Sequence, residues 1–230
     1  MLGLGNSITS GGAALSGFNI NNLSPELWLA FNTGQVAITD GIQWNDQSGN
    51  DRHARQTTDA QEGSGFSGGA FVTDANNNDN LDLADTFNLA SDYHMFVVLN
   101  LSQESNETFV SSVDNSSFIR FAQGGTDATA YRMKNGGTTL NISLSAGFGT
   151  TKAIAEISRD GSNGVRVIKN SSSLGTGTGA GTFAFQQIGT SSNGITSGEI
   201  HEVVVFGRKL SDADATLVRV DIANRTSISL

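Results

Sequence analysis

Apolar residues recur along this chain in short runs, separated by stretches rich in glycine, serine, threonine and asparagine. Between residues 93 and 101 every position except His94 and Asn100 is apolar. Side chains alternate across a strand, so Tyr93, Met95, Val97, Leu99 and Leu101 share one face while Phe96 and Val98 share the other. A strand apolar on both faces is covered twice, which predicts an inner position in a sheet. Residues 199–206 read the same way, with Ile200, Val204 and Phe206 on one face and Val203 and Val205 on the other. Shorter strands are predicted at 27–31, 42–44, 70–73, 80–83, 109–113, 118–122, 130–134, 140–144, 153–158, 165–169, 183–188 and 226–230, and residues 52–56 are read as extended.

One helix interrupts this pattern. Ser211 with Asp214 three residues on forms a capping box, which predicts a helix from Asp212 to about residue 224. Its apolar stripe is untidy: Ala213, Leu217 and Val220 share a face, and Val218 and Ile222 lie round from it. Residues 160–164, with aspartate, asparagine and two glycines, read as a hairpin turn, and the Gly/Thr stretch 175–182 reads as a connector. Residues 1–24 mix sparse apolar residues into glycine and serine, which predicts an extended N-terminal arm ahead of a single domain at 25–230.

Composition sharpens this picture in four ways. The 28 glycines, the single proline and a charged fraction of 15 % fit many short strands joined by turns. The net charge of −9 argues against nucleic acid or an anionic membrane as partner, since both need basic surface. There is no cysteine, so no disulfide and no thiolate metal site. No apolar run approaches the ~18 residues of a membrane span, and the N-terminus lacks the basic and apolar regions of a secretory signal. Together these readings give an all-β, two-sheet antiparallel jelly-roll sandwich with one short C-terminal helix.

Three stretches together resemble a known family. Leu27-Trp28-Leu29, then Trp44-Asn45-Asp46-Gln47-Ser48-Gly49-Asn50 with Arg52-His53-Ala54, is similar to the N-terminal signature of laminin-G-like domains. These belong to the concanavalin A-like lectin/glucanase superfamily. Leu81-Asp82-Leu83 and the run from Gly198 through Phe206 to Arg208, Leu210, Ser211 and Asp212 fit the same pattern. The resemblance covers nearly the whole chain and implies a jelly roll; its tryptophan–asparagine–aspartate motif is structural and names no ligand. The first residues, Met1 to Gly12, resemble leaders of structural proteins of tailed bacteriophages. That resemblance implies a non-enzymatic virion surface protein, a capsid decoration, cement or fibre-like component. Such a protein is synthesised in the host cytoplasm and docks to other virion proteins through residues 1–24. The alternative is a carbohydrate-binding module for cell-surface or extracellular glycans, and a glycanase is the third class. Self-association is compatible with each.

The candidate chemistry is thin. The glucanases of the superfamily carry E-x-D-x-x-E on one strand, and nothing here matches. Glu199 and Glu202, three apart, are predicted to point to opposite faces of their strand. Gly5-Asn6-Ser7-Ile8-Thr9 resembles the serine block of GDSL-type esterases but has no following Asp-x-x-His. The run 63–68 fits G-x-G-x-x-G by letter without a strand–helix frame. Asp74, Asn76, Asn78 and Asp79 place oxygens at spacings that suit calcium, although Asp79 stands where a calcium loop needs glycine. No other cofactor is expected. His53, His94 and His201 form a metal triad only if the fold converges them, and Trp28, Tyr93 and Tyr131 are candidates for stacking on a sugar.

Overall fold

The computed structural model describes residues 17–58, 61–63, 65–73, 79–101, 107–114, 116–122, 129–189 and 198–230. Its strands form two antiparallel sheets facing each other. The eight-stranded sheet runs in the order β15 (Ser172–Thr178), β14 (Gly164–Lys169), β13 (Ala153–Arg159), β8 (Tyr93–Leu101), β17 (Gly198–Phe206), β6 (Ala70–Thr73), β5 (Gly65–Ser67). β1 (Leu27–Leu29) also pairs with β17, beyond the end of β6. The nine-stranded sheet runs β12 (Thr138–Ser143), β11 (Ala130–Asn135), β10 (Phe118–Ala122), β9 (Glu107–Ser111), β16 (Phe183–Gly189), β7 (Asn80–Leu89), β4 (Ala54–Gln56), β3 (Gly41–Trp44), β2 (Gln35–Ile38).

β8 and β17 lie side by side at the centre of the first sheet, as their two-faced sequences require. Tyr93, Met95, Val97, Leu99 and Leu101 enter the core between the sheets, and Phe96 and Val98 face outward into a second apolar layer. In β17 the alternation holds only from Glu202 onward. A bulge after Ile200 turns that side chain into the main core beside Val203 and Val205, whereas Val204 and Phe206 face outward. The same bulge overturns the expectation for the two glutamates. Glu199 stands opposite Asn100 and Glu202 lies under the helix, so both occupy the outward face.

The helix α1 (Asp212–Thr226) closes that second layer. Ser211 caps it as expected, its hydroxyl accepting from the Asp214 amide at 3.1 Å. The buried stripe, however, is Ala215, Val218, Ile222 and Thr226. Ala213 is exposed, and Leu217 and Val220 sit at the margins. Val218 and Ile222 meet the sheet because they lie one helical turn apart on the face that also carries the small Ala215. The closing strand expected at 226–230 does not form: the helix runs to Thr226 and Ser227 ends it in a left-handed conformation. A short 3₁₀ turn, Ile20–Leu23, packs beside the helix with Ile20 fully buried, so the last part of the arm belongs to the domain's own core. Residues 1–16 lie outside the described residues.

Two further departures have clear causes. The first half of the Gly/Thr stretch belongs to an edge strand: Ser172–Thr178 pairs with β14. A side chain at Gly175 or Gly177 would meet Ile142 of the opposite sheet at 2.7 and 2.9 Å, so glycine lets the two sheets close on each other at this edge. β7 continues past Leu83 to Leu89, because residues 83–86 bulge outward against the single Gln186 of β16.

The tryptophan–asparagine–aspartate motif is structural, as expected. The buried Trp44 indole donates to the carbonyls of Ala30 and Thr33 at 3.1 Å each. Asp46 accepts from the amides of Trp28, Ser48 and Arg52, which ties this loop to β1.

Candidate functional site

The outward face of the eight-stranded sheet is closed by charge as well as by apolar packing. Glu202 is fully buried and accepts from Arg225 Nη1 at 2.6 Å and from the Trp28 indole N–H at 2.8 Å. Burial raises its carboxyl above the ordinary range, and Arg225 and Trp28 oppose that rise. Glu156 bridges His94, 3.0 Å away, and Arg219, 2.7 Å away. There burial also favours the neutral acid, but the hydrogen bonds and charges of His94 and Arg219 outweigh it and lower the pKa. His94 Nδ1 accepts from the Leu210 amide, which places the proton on Nε2, toward Glu156. Glu156 Oε2 and Glu202 Oε1 are turned to arginines of α1, Glu199 Oε2 is held by Asn100 and His201, and Glu202 is fully buried, so the pair Glu199 and Glu202 does not form an acid and nucleophile flanking an open cleft.

The other sequence candidates are dispersed. His53 Nδ1 accepts from the Asp46 amide, His94 serves Glu156, and His201 Nε2 lies 3.0 Å from Glu199 Oε2. The three imidazoles therefore have separate structural partners, and among the described residues no group of histidines and carboxylates is arranged to hold a metal. Asp74, Asn76 and Asn78 fall outside the described residues. Asp79 is fully buried just before β7, its carboxylate against the backbone at Gly63. Tyr93 and Tyr131 are fully buried in the core, and the Trp28 ring is engaged by Glu202 and by the Arg225 guanidinium 5.2 Å from its centroid. None of the three is placed to stack on a sugar.

The nine-stranded sheet presents a different surface. Both described helices lie on the other sheet, and the strand register builds one continuous row across this outward face. It passes through Thr139, Lys134, Phe118, Ser111, Gln187, Asp82, Arg55 and Gln43, each directly opposite the next on the neighbouring strand. The row is wired along its middle. Ser111 Oγ donates to Gln187 Oε1 at 3.2 Å, Gln187 Nε2 donates to Asp82 Oδ1 at 3.0 Å, and Asn80 Nδ2 donates to the same oxygen at 2.8 Å. Ser111 and Phe118 are buried, and exposure rises toward Arg55 on one side and Thr139 on the other. A cavity of about 300 Å³ opens on it between Arg55, Thr57 and Asp82. Phe118 on this face is buried with the Arg120 guanidinium 4.5 Å from its centroid, so the row offers hydroxyl, amide, carboxylate and guanidinium groups rather than a stacking platform. That is a surface for ligands rich in hydroxyl groups.

A second concavity lies at the bulge of β7. Two adjoining hollows of about 320 and 410 Å³ share Arg52, Thr86 and Phe87. The Arg52 guanidinium stands 4.4 Å from the Phe87 ring centroid and 3.2 Å from Glu26 Oε2. Its ring is thus already covered by a cation, which leaves the bulge as a polar groove without a stacking platform.

Sequence reasoning missed the row entirely. Its members come from eight strands, and all but Phe118 are, in isolation, ordinary outward-facing polar residues. Only the strand order, which no local spacing encodes, brings them into line.

No protein-family model and no curated protein matches the sequence. Solved structures do share the fold. The binding domain of botulinum neurotoxin DC in complex with SialylT is 14 % identical at a TM-score of 0.55, over 89 % of this chain and 52 % of that one. The same toxin's binding domain in complex with rat synaptotagmin II gives 15 % identity and a TM-score of 0.56 over the same shares. The binding domain of Paraclostridial Mosquitocidal Protein 1 gives 13 % and 0.53, over 87 % and 52 %. The chain spans about half the length of these domains, and the likeness is one of fold, a two-sheet β-sandwich.

Proposed function

We propose that this chain is a non-catalytic glycan-binding module whose binding surface is the outward face of the nine-stranded sheet. The observation that carries the reading is the polar row from Thr139 to Gln43, hydrogen-bonded from Ser111 through Gln187 to Asp82. Its groups are oriented before any ligand arrives, which lowers the ordering cost of binding. The toxin domains that share the fold are binding domains, and the glycan-binding reading takes support from them at the level of fold. They lend none to a virion role. No histidine or carboxylate on the row is placed as a nucleophile–base pair, which favours binding over turnover.

A glycan array probed with the full chain tests this. Binding to at least one oligosaccharide is expected, together with a loss of about tenfold or more in Gln187→Ala and in Arg55→Ala at unchanged melting temperature. An array with no binding contradicts the reading, and so does binding that both variants retain in full.

A further inference from the structure

We propose that the cavity at β4 and β7 is a subsite for two hydroxyl groups on adjacent carbons of a sugar ring, the 2,3-diol of an internal unit in a 1,4-linked chain. The inference rests on the glycan-binding reading and specifies the linkage class that the face takes. Its starting point is an ion pair that does not form. Arg55 and Asp82 stand directly opposite each other on adjacent antiparallel strands. Their neighbours Ala54 and Leu83, also opposite each other, enter the main core, so Arg55 and Asp82 both face outward. Opposite charges in that relation ordinarily attract and stabilise a sheet. Neither side chain, however, makes an ion pair among the described residues. Both instead line the cavity of about 300 Å³, with Gln56 and Thr57 also in its wall.

The cause is the way the carboxylate is held. Asp82 Oδ1 accepts from Asn80 Nδ2 at 2.8 Å and from Gln187 Nε2 at 3.0 Å, so this oxygen is engaged within β7 and β16. Oδ2 has no hydrogen-bond partner among the described residues and keeps its accepting capacity. Gln56 is buried and fixed: its Oε1 accepts from the amides of Thr57 and Thr58 at 2.9 Å each, and its Nε2 donates to the Asn80 carbonyl at 3.2 Å. The wall is thus set before a ligand arrives, and the exposed Arg55 side chain remains to close on it. A carboxylate accepts and a guanidinium donates, whereas a hydroxyl does both. Two adjacent hydroxyls therefore satisfy the site together, one donating to Asp82 Oδ2 while its neighbour accepts from Arg55. The two charges cancel, so the site calls for hydroxyls rather than for an ion. The row continues on both sides of the cavity, to Gln187 on β16 and to Gln43 on β3, so a sugar chain can extend along it in both directions. An internal 1,4-linked hexose unit keeps its 2- and 3-hydroxyls adjacent. An internal 1,3-linked unit keeps ring hydroxyls only at carbons 2 and 4, on either side of the linkage.

The test uses the full chain and three probes in calorimetric titrations. Cellohexaose and β-1,4-mannohexaose carry the internal diol in its trans and cis forms, and β-1,3-linked laminarihexaose lacks it. At least one 1,4-linked probe is expected to bind about tenfold or more tightly than laminarihexaose. Asp82→Asn removes the charged acceptor at nearly unchanged shape, and Arg55→Gln shortens and neutralises the donor. Each is expected to weaken the 1,4-linked probe about tenfold. Arg55→Gln should leave the melting temperature unchanged because the side chain is exposed, so it carries the test if Asp82→Asn destabilises the row. Equal affinity for laminarihexaose, a 1,4-linked probe indifferent to either folded variant, or no binding of any of the three overturns the inference. The glycan array decides the wider reading separately. A bound glycan that lacks the diol and is lost on Gln187→Ala keeps that reading while this inference fails, and an array without any bound glycan removes both.

Discussion

The two outward faces of this sandwich start from the same architecture and are put to opposite uses. On the eight-stranded sheet, Phe96, Val98, Val204 and Phe206 point outward and α1 covers them, with Glu156 and Glu202 turned to Arg219 and Arg225 of the helix. On the nine-stranded sheet, outward polar side chains are joined to each other, and neither described helix lies on this face. The difference teaches where to look for function. Charges on the first face are consumed in holding the helix, whereas polar groups on the second face are joined to one another.

The largest expected effect is on the closed face. Val204→Asp places an unpaired carboxylate under the helix, at a cost of several kcal/mol against a total stability of ~5–15 kcal/mol. The domain should unfold, and a folded variant with unchanged melting would show that the helix does not close this layer. Next comes Arg225→Ala, which strands the buried Glu202 and should cost about 3–5 kcal/mol in denaturant unfolding. The companion double variant Glu202→Leu/Arg225→Leu should recover most of that loss. If it does not, the pair contributes more than mutual compensation.

The third prediction concerns acid. The pKa of Glu156 is lowered in the folded chain, so its contribution is present above the unfolded value near pH 4.5 and is lost as pH falls through the folded value. Wild type should therefore lose melting temperature steeply below about pH 4.5. Glu156→Gln should be less stable at pH 7 and show a shallower acid limb. Parallel limbs in the two proteins would assign the acid sensitivity to other groups. The smallest effect belongs to the open face: Arg55→Ala and Thr139→Ala should change stability by no more than about 0.5 kcal/mol. A larger loss there would mean that this face, too, is part of the scaffold.

Much of the closed face was legible in the sequence. The two-sided pattern of residues 93–101 placed β8 at the centre, and the capping box at Ser211 placed the start of the helix. Local pattern failed where geometry is set by one extra residue. The bulge at His201 breaks the alternation after Ile200 and so reassigned Ile200 and paired Glu199 with Glu202 on one face. It also failed where a partner strand decides the conformation: the glycines of β15 look like linker, yet they are the residues that let Ile142 approach. The open face was not legible. Gln187 and Asp82 lie more than a hundred residues apart, so their adjacency is a product of sheet order alone.

The central claim is that the open face binds and the closed face supports. Amide hydrogen exchange followed by mass spectrometry, with and without the tightest-binding oligosaccharide of the array, tests it most directly. The account predicts added protection in segments 80–89, 107–111, 118–122, 130–135 and 183–189, with 212–226 unchanged. Protection concentrated on 212–226, or confined to the groove at 50–52 and 85–92, would contradict it.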